Sequence, residues 1–143
     1  VYEWVKETAD LNRIEIELDL DESIHQVLLD REAIHRCLLN LSTNAIDACL
    51  EKHPDEDPGK ITMRTSKPPD WAVEFQVLDN GCGMNGETKQ KIFQCFFSTK
   101  GSKGTGLGLM ITKKIIDEHK GQIEVNSEEG KGSVFSIKLP YAV

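Results

Sequence analysis

The apolar residues of this chain change their period early, and that change limits the architectures open to it. From Arg13 to Leu20, Ile14, Ile16, Leu18 and Leu20 alternate with Arg13, Glu15, Glu17 and Asp19, the pattern of a strand with one wet face. Asp30 then stands where a helix cap belongs. After it, Ile34, Leu38, Leu41 and Ala45 recur at intervals of four, three and four, one face of a helix from Arg31 to about Leu50. A chain carrying both periods has to lay helix against sheet.

The remaining elements follow from the same patterns. Gln26 to Leu29 reads as a short second strand, and strands are expected at about Lys60–Ser66 and Trp71–Asp79. His53–Gly59 is rich in proline and acid and reads as a loop. A short helix is expected within Gly86–Ile92, and a longer one from about Gly106 to His119, ending before Gly121. Strands Gln122–Ser127 and Gly132–Leu139 are joined by the turn SEEGKG. Residues 1–12 read as the end of a helix, or a linker, arriving from an upstream domain, and residues 13–143 as one domain. The expected fold is an α/β (α+β) two-layer sandwich: a mixed, largely antiparallel sheet of about five strands, antiparallel at both ends, with three main helices on one face.

Bulk properties narrow the function. A net charge of -7 argues against nucleic acid, whose phosphates are held by clustered Lys and Arg. Cys37, Cys49, Cys82 and Cys95 form no CxxC pair and are expected as reduced thiols, which suits a cytoplasmic location. The four histidines lack HExxH spacing, so no transition-metal site is expected. No apolar run is long enough to cross a bilayer.

Three constellations carry chemistry. On the long helix Asn40, Asn44, Asp47 and Glu51 recur at four, three and four, about 120° round from the core stripe. This seam is either a solvated face or a place where amide oxygens meet a hard cation such as Mg²⁺. At the end of a strand, Asp79 shares a face with Trp71, Val73, Phe75 and Val77, so its carboxylate points the way the core residues point and needs a donor. Gly81 and Gly83 follow at once in DNGCGM, where positive φ would let the backbone approach a flat ligand. In the third, STKGSKGTGLGLMITKKII, Gly104, Gly106 and Gly108 run into an amphipathic helix, whose first N–H groups form an anion site. Lys100 and Lys103 add positive charge there. The spacing is neither the dinucleotide fingerprint nor a Walker loop. Metal seam, base pocket and phosphate loop in one chain imply a nucleoside triphosphate.

These segments resemble a known family. NLSTNAIDA looks like the N box, DNGCGM the G1 box, KIFQCFFSTK the F box and GTGLGL the G2 box of the ATPase superfamily (the Bergerat fold) shared by histidine kinases, gyrase, the heat-shock chaperone and mismatch-repair proteins. The likeness spans roughly residues 13 to 140, and the tail HKGQIEVNSEEGKGSVFSIKLP is similar to sensor kinases of the nitrogen-regulation type. The resemblance implies ATP and Mg²⁺ as cofactors. By position, Asp79 would accept from the adenine amino group with Ser133 assisting through water, and Asn44 would hold Mg²⁺ with Asn40 beside it. Gly81, Gly83 and Met84 would shape the base pocket. Phe93, Phe96 and Phe97 would anchor a lid, with Thr99 and Lys100 following. Gly104, Thr105, Gly106, Leu107, Gly108 and Leu109 would meet the phosphates, and Asn40 and Lys100 would stand at the reacting group.

Two departures refine this. Superfamily members that hydrolyse ATP carry a Glu one turn before the metal Asn; here it is Asn40, which cannot take a proton at neutral pH, so transfer is favoured over hydrolysis. Many histidine kinases carry a basic residue three positions after the metal Asn; here it is Asp47, which Lys100 or Lys103 would have to replace. No histidine sits in an HExxxP-like setting, so the phosphoryl acceptor would lie on a dimerisation domain absent from this chain. The partners implied are that domain in a full-length homodimer and, indirectly, a response regulator. An anti-sigma-type serine kinase and a nucleotide-gated binding module are the competing readings.

Overall fold

The computed structural model describes residues 1–24, 26–52, 58–93 and 108–141. Helix α1 (Tyr2–Leu11) leads through Asn12 into strand β1 (Glu15–Asp19), and helix α2 (Arg31–Glu51) crosses to β2 (Lys60–Ser66). Strand β3 (Val73–Asp79), the short α3 (Gly86–Lys91), α4 (Gly108–Glu118), β4 (Gln122–Glu128) and β5 (Gly132–Leu139) follow. The five strands form one sheet in the order β1-β2-β3-β5-β4.

Alternation decides which face the helices cover. Ile16, Ile61, Met63, Val77, Phe135 and Ile137 join the core with Val5 and Ala9 of α1, Ile34, Leu41 and Ala45 of α2, and Ile116 of α4. Each large side chain buried there contributes roughly 1.5–3 kcal/mol. The intervening residues turn outward and pair with each other: Lys60 with Glu17, Arg64 with Asp19, Gln76 with Ser136, and Ser66 with Glu74. The result is two layers, with helices on one face of the sheet and a polar opposite face, as the sequence patterns predict.

Helix boundaries have local causes. The Asp30 carboxylate accepts from the Ala33 N–H at 3.1 Å and starts α2. Helix α4 ends at Glu118; two residues on, Lys120 takes a left-handed φ of 58°, and the Gly121 N–H turns back to the Ile116 carbonyl at 2.9 Å. Gly121 is needed for closeness, because a Cβ there would lie 2.5 Å from the Lys138 carbonyl oxygen.

Three expectations need correction. Residues 26–29 form no strand among the described residues. Val27 and Leu29 pack on the core and Leu28 is 83% exposed; alternation there records one-sided burial, which needs no ladder partner. The sheet is not antiparallel at both ends, since β1 and β2 are parallel, as a connection through α2 requires. The inward face of β1 is also only half covered: Ile16 is buried, whereas Leu18 is 44% exposed and Leu20, just past the strand, 55%.

Candidate functional site

The polar seam of α2 meets the start of α4 at Asn40. Asn40, Asn44 and Asp47 are all half-buried. The Asn40 amide nitrogen donates to the Gly108 carbonyl at 3.4 Å and to the Thr112 hydroxyl at 3.3 Å. Thr112, fully buried, spends its own proton on the Gly108 carbonyl at 2.9 Å, so the Asn40 amide meets two acceptors and its orientation is fixed. Asn40 thereby joins two helices.

Asp79 closes β3, flanked in register by Ile61 of β2 and Ser133 of β5. Burial pushes its carboxyl up to about 6, against the pull of the backbone N–H groups of Gly81 and Ser133. The Gly81 N–H lies 2.9 Å from Oδ1. Burial likewise pushes the thiols of Cys49 and Cys82 up to about 11, with the Asp79 charge adding to both and Glu51 to Cys82. Among the described residues, the groups that act on Asp79 are backbone N–H donors, which hold it as a buried acceptor.

The loop after Asp79 is clamped from two sides. The backbone of Gly81 rests on Ala48 of α2, where a Cβ would come within 2.5 Å of the Ala48 carbonyl carbon. The Cys82 N–H donates to the Ala48 carbonyl at 3.0 Å. Of the two glycines expected at positive φ, only Gly83 has it, at 68°; Gly81 is glycine for proximity. A Cβ at Gly83 would strike the Glu128 carbonyl oxygen. On that second side the Gly130 N–H donates to the Cys82 carbonyl at 2.7 Å, and the Met84 N–H to Ser127 Oγ at 2.8 Å. Asn80 locks the strand end, accepting from the Lys60 N–H at 2.7 Å and donating to the Pro58 carbonyl at 3.1 Å.

These contacts set the strand end and the start of α4 against α2. Ala48, on which Gly81 rests, is one helical turn beyond Asn44, and Asn40 is one turn before it. The loop after β3 and the first turn of α4 therefore both meet α2, at Ala48 and at Asn40, two turns apart. Met84, Phe93 and Leu109 pack against the core. Phe96, Phe97, Thr99, Lys100, Lys103, Gly104, Thr105, Gly106 and Leu107 lie outside the described residues. A shallow hollow bounded by Phe93, Met110, Lys113 and Asp117 lies on the exposed side of α4, and neither Asn44 nor Asp79 lines it.

Sequence reasoning missed Ser127 and Thr112. Ser127 follows Ile123 and Val125 on the inward face of β4, so a hydroxyl in an apolar alternation was the available signal. Its Oγ lies 3.0 Å from the Gly132 carbonyl oxygen and 2.8 Å from Ser133 Oγ, in addition to the Met84 bond. Thr112 sits one turn after Gly108, a position that declares itself only once α4 meets Asn40.

Among the described residues no three His, Cys, Asp or Glu side chains converge as a metal cage. Asn44 carries a hard amide oxygen, the kind of ligand that Mg²⁺ takes alongside phosphate and water.

The sequence model described as "Histidine kinase-, DNA gyrase B-, and HSP90-like ATPase" matches residues 29–143. The signal transduction histidine-protein kinase AtoS of Escherichia coli is 38% identical over 128 residues, 90% of this chain and 20% of AtoS. Sporulation kinase E of Bacillus subtilis is 36% identical over 132 residues, 92% of this chain and 17% of that protein. The chain thus spans a fifth or less of these two relatives. Among solved structures, the nucleotide-free catalytic domain of histidine kinase ThkA superposes with a TM-score of 0.81 at 35% identity, covering 98% of this chain and 88% of that one. Full-length ShkA in complex with AMPPNP superposes with a TM-score of 0.82 at 26% identity, covering 99% of this chain and 29% of ShkA.

Proposed function

This chain belongs to the histidine kinase-, DNA gyrase B- and HSP90-like ATPase family, and we propose that it is the catalytic module of a sensor histidine kinase, binding ATP and presenting its γ-phosphoryl group to a histidine on another domain. The observation that carries the reading is Asp79: a buried carboxylate held by the backbone N–H groups of Gly81 and Ser133, with lone pairs to accept from an adenine amino group. Ser133 stands beside it, and Gly81, Gly83 and Met84 hold the backbone that forms the rest of the base pocket. Histidine-kinase relatives favour this over a serine kinase of anti-sigma type or a binding module without transfer.

The seam serves the other end of the nucleotide. Asn44 would hold Mg²⁺, which when bound neutralises charge on the phosphate oxygens. Asp47, three residues on, stands where many histidine kinases carry a basic residue, and Lys100 or Lys103 would supply that charge. Backbone N–H groups from Gly104 to Leu109 would bind phosphate, with Phe93, Phe97 and Thr99 around them. Asn40 carries no proton-accepting group and its amide nitrogen is committed to α4, so it does not activate water. The acceptor is instead an imidazole nitrogen, which bonds to the γ-phosphorus as the bond to the bridging oxygen breaks and ADP leaves. Positioning and charge neutralisation do this work.

In the whole protein, residues 1–12 would join this module to the dimerisation domain of a homodimer, which passes phosphate to a response regulator. Among the described residues no helix is long and apolar enough to cross a membrane, and we place the module in the cytoplasm. The test is to mix the chain with its dimerisation domain and γ-labelled ATP. Acid-labile, base-stable label on that domain is expected; acid-stable label, or none, would overturn the assignment.

A further inference from the structure

Four polar groups meet behind the carboxylate of Asp79, and their protons can be counted. Ser127 Oγ lies 2.8 Å from the Met84 backbone nitrogen, 3.0 Å from the Gly132 carbonyl oxygen and 2.8 Å from Ser133 Oγ. A hydroxyl has one proton and two lone pairs. The Met84 N–H can only donate, and the Gly132 carbonyl can only accept. If Ser127 donates to Gly132, its remaining bond must be accepted from Ser133. This is the one arrangement that satisfies all three contacts at once, and Ser133, being buried, has little freedom to adopt another.

Ser133 therefore gives its proton away from the site. Its own oxygen is left with lone pairs only, on the face that it shares with Asp79 in the adjoining strand. Its backbone N–H already serves the Asp79 carboxylate. At Asp79 and Ser133 the floor of the pocket thus offers acceptors, and the Ser133 hydroxyl is not a donor into it.

We infer that Ser127, which no expectation assigned to the site, is a positioning residue for base specificity: by holding the Ser133 proton it makes the pocket favour a 6-amino purine over a 6-oxo purine. This rests on the ATP-binding reading above. An amino group gives N–H to acceptors, whereas a 6-oxo group brings an oxygen against the oxygens of Asp79 and Ser133. A site built to accept N–H rejects the analogue lacking it, because buried polar groups are then left unpaired. Were the Ser133 hydroxyl free to rotate, it could donate to the 6-oxo oxygen and narrow the difference.

The experiment compares the affinities of ATP and inosine triphosphate, both with Mg²⁺, by titration calorimetry. Wild type should prefer ATP. Ser127→Ala should lower the ATP-to-ITP affinity ratio by about tenfold, the scale of one net hydrogen bond. Ser127→Cys, which fills the space with a weak acceptor and so protects the test against a failure to fold, should lower it in the same direction. Ser127→Thr, which keeps the hydroxyl, should restore the wild-type ratio. In a Ser133→Ala background the Ser127→Ala change should leave the ratio alone. A purely structural role, loosening the loop at Met84, would weaken both nucleotides equally. An unchanged ratio in Ser127→Ala and Ser127→Cys would therefore overturn the inference, as would a wild type that binds both nucleotides equally. A wild type that binds neither would overturn the ATP-binding reading itself.

Discussion

Gly81 and Ala48 touch backbone to backbone, so closely that a Cβ on Gly81 would sit 2.5 Å from one backbone atom of Ala48 and 2.6 Å from another. Neither atom belongs to a flexible side chain, so the clash can be relieved only by moving the loop or the helix. Gly81→Ala should cost about 1–3 kcal/mol of stability, as overpacking does. Urea denaturation measures this, and the same variant should lose nucleotide affinity because the loop after Asp79 can no longer rest on α2. An unchanged midpoint would mean that the contact is not held in solution.

Asp79→Asn should uncouple stability from binding. The carboxyl is raised from an ordinary 3.8 to about 6, so the ionised form is a burden on the empty fold at neutral pH. Replacing it with a neutral amide that still accepts from Gly81 should raise stability by on the order of 1–2 kcal/mol. ATP binding should be lost, because an amide cannot offer two acceptor oxygens. A variant that is both unstable and still able to bind would contradict the assignment.

The same shift has a sign in pH. Between 3.8 and about 6 the folded chain holds a proton on Asp79 that the unfolded chain has released. The contribution of this group to stability is therefore full below 3.8 and lost as pH rises through about 6. Affinity for ATP should move the opposite way, falling as pH drops through that value and the acceptor is protonated. Melting curves and titrations from pH 5 to 8 on wild type and Asp79→Asn separate the two, since the variant should lack both slopes.

Asn44→Ala should weaken Mg²⁺-ATP much more than ATP in the presence of a chelator. At least about tenfold between the two is expected, since changing even a residue that only orients a metal ligand costs about 10–100-fold in metal affinity. Equal losses would move the cation elsewhere.

Asn40→Ala should act through the helices. It removes the amide that bridges Gly108 and Thr112, an effect of about 0.5–1.5 kcal/mol per net hydrogen bond. Hydrogen exchange should quicken at the first turn of α4, and unchanged protection there would show that the bridge does not hold that turn.

How much of this was legible beforehand depended on whether the cause was local. The strands β2 to β5 and the helix α2 came from period and capping alone: the Asp30 cap formed, and α2 ended within a residue of the expected Leu50. Residues 26–29 alternate as a strand does, but strand pairing needs a distant partner, and no pattern within four residues announces one. In the sequence Gly81 looks like a turn glycine, because its neighbour Ala48 lies far away along the chain. The inward aim of Asp79 was recoverable because alternation is local, whereas the clamp behind it, through Ser127 and the β4–β5 turn, exists only in the assembled sheet. The assignments between Phe96 and Leu107 rest on sequence, since those residues lie outside the described structure.

Helix α2 is also the covalent bridge between β1 and β2. One extra residue between Leu41 and Asn44 would rotate everything after it by about 100°, turning Asn44 out of the site and Ala45 out of the core in a single step. Growth or shrinkage of the chain is therefore far cheaper in the exposed turn at Lys67–Asp70, where it would disturb neither, than anywhere along this helix.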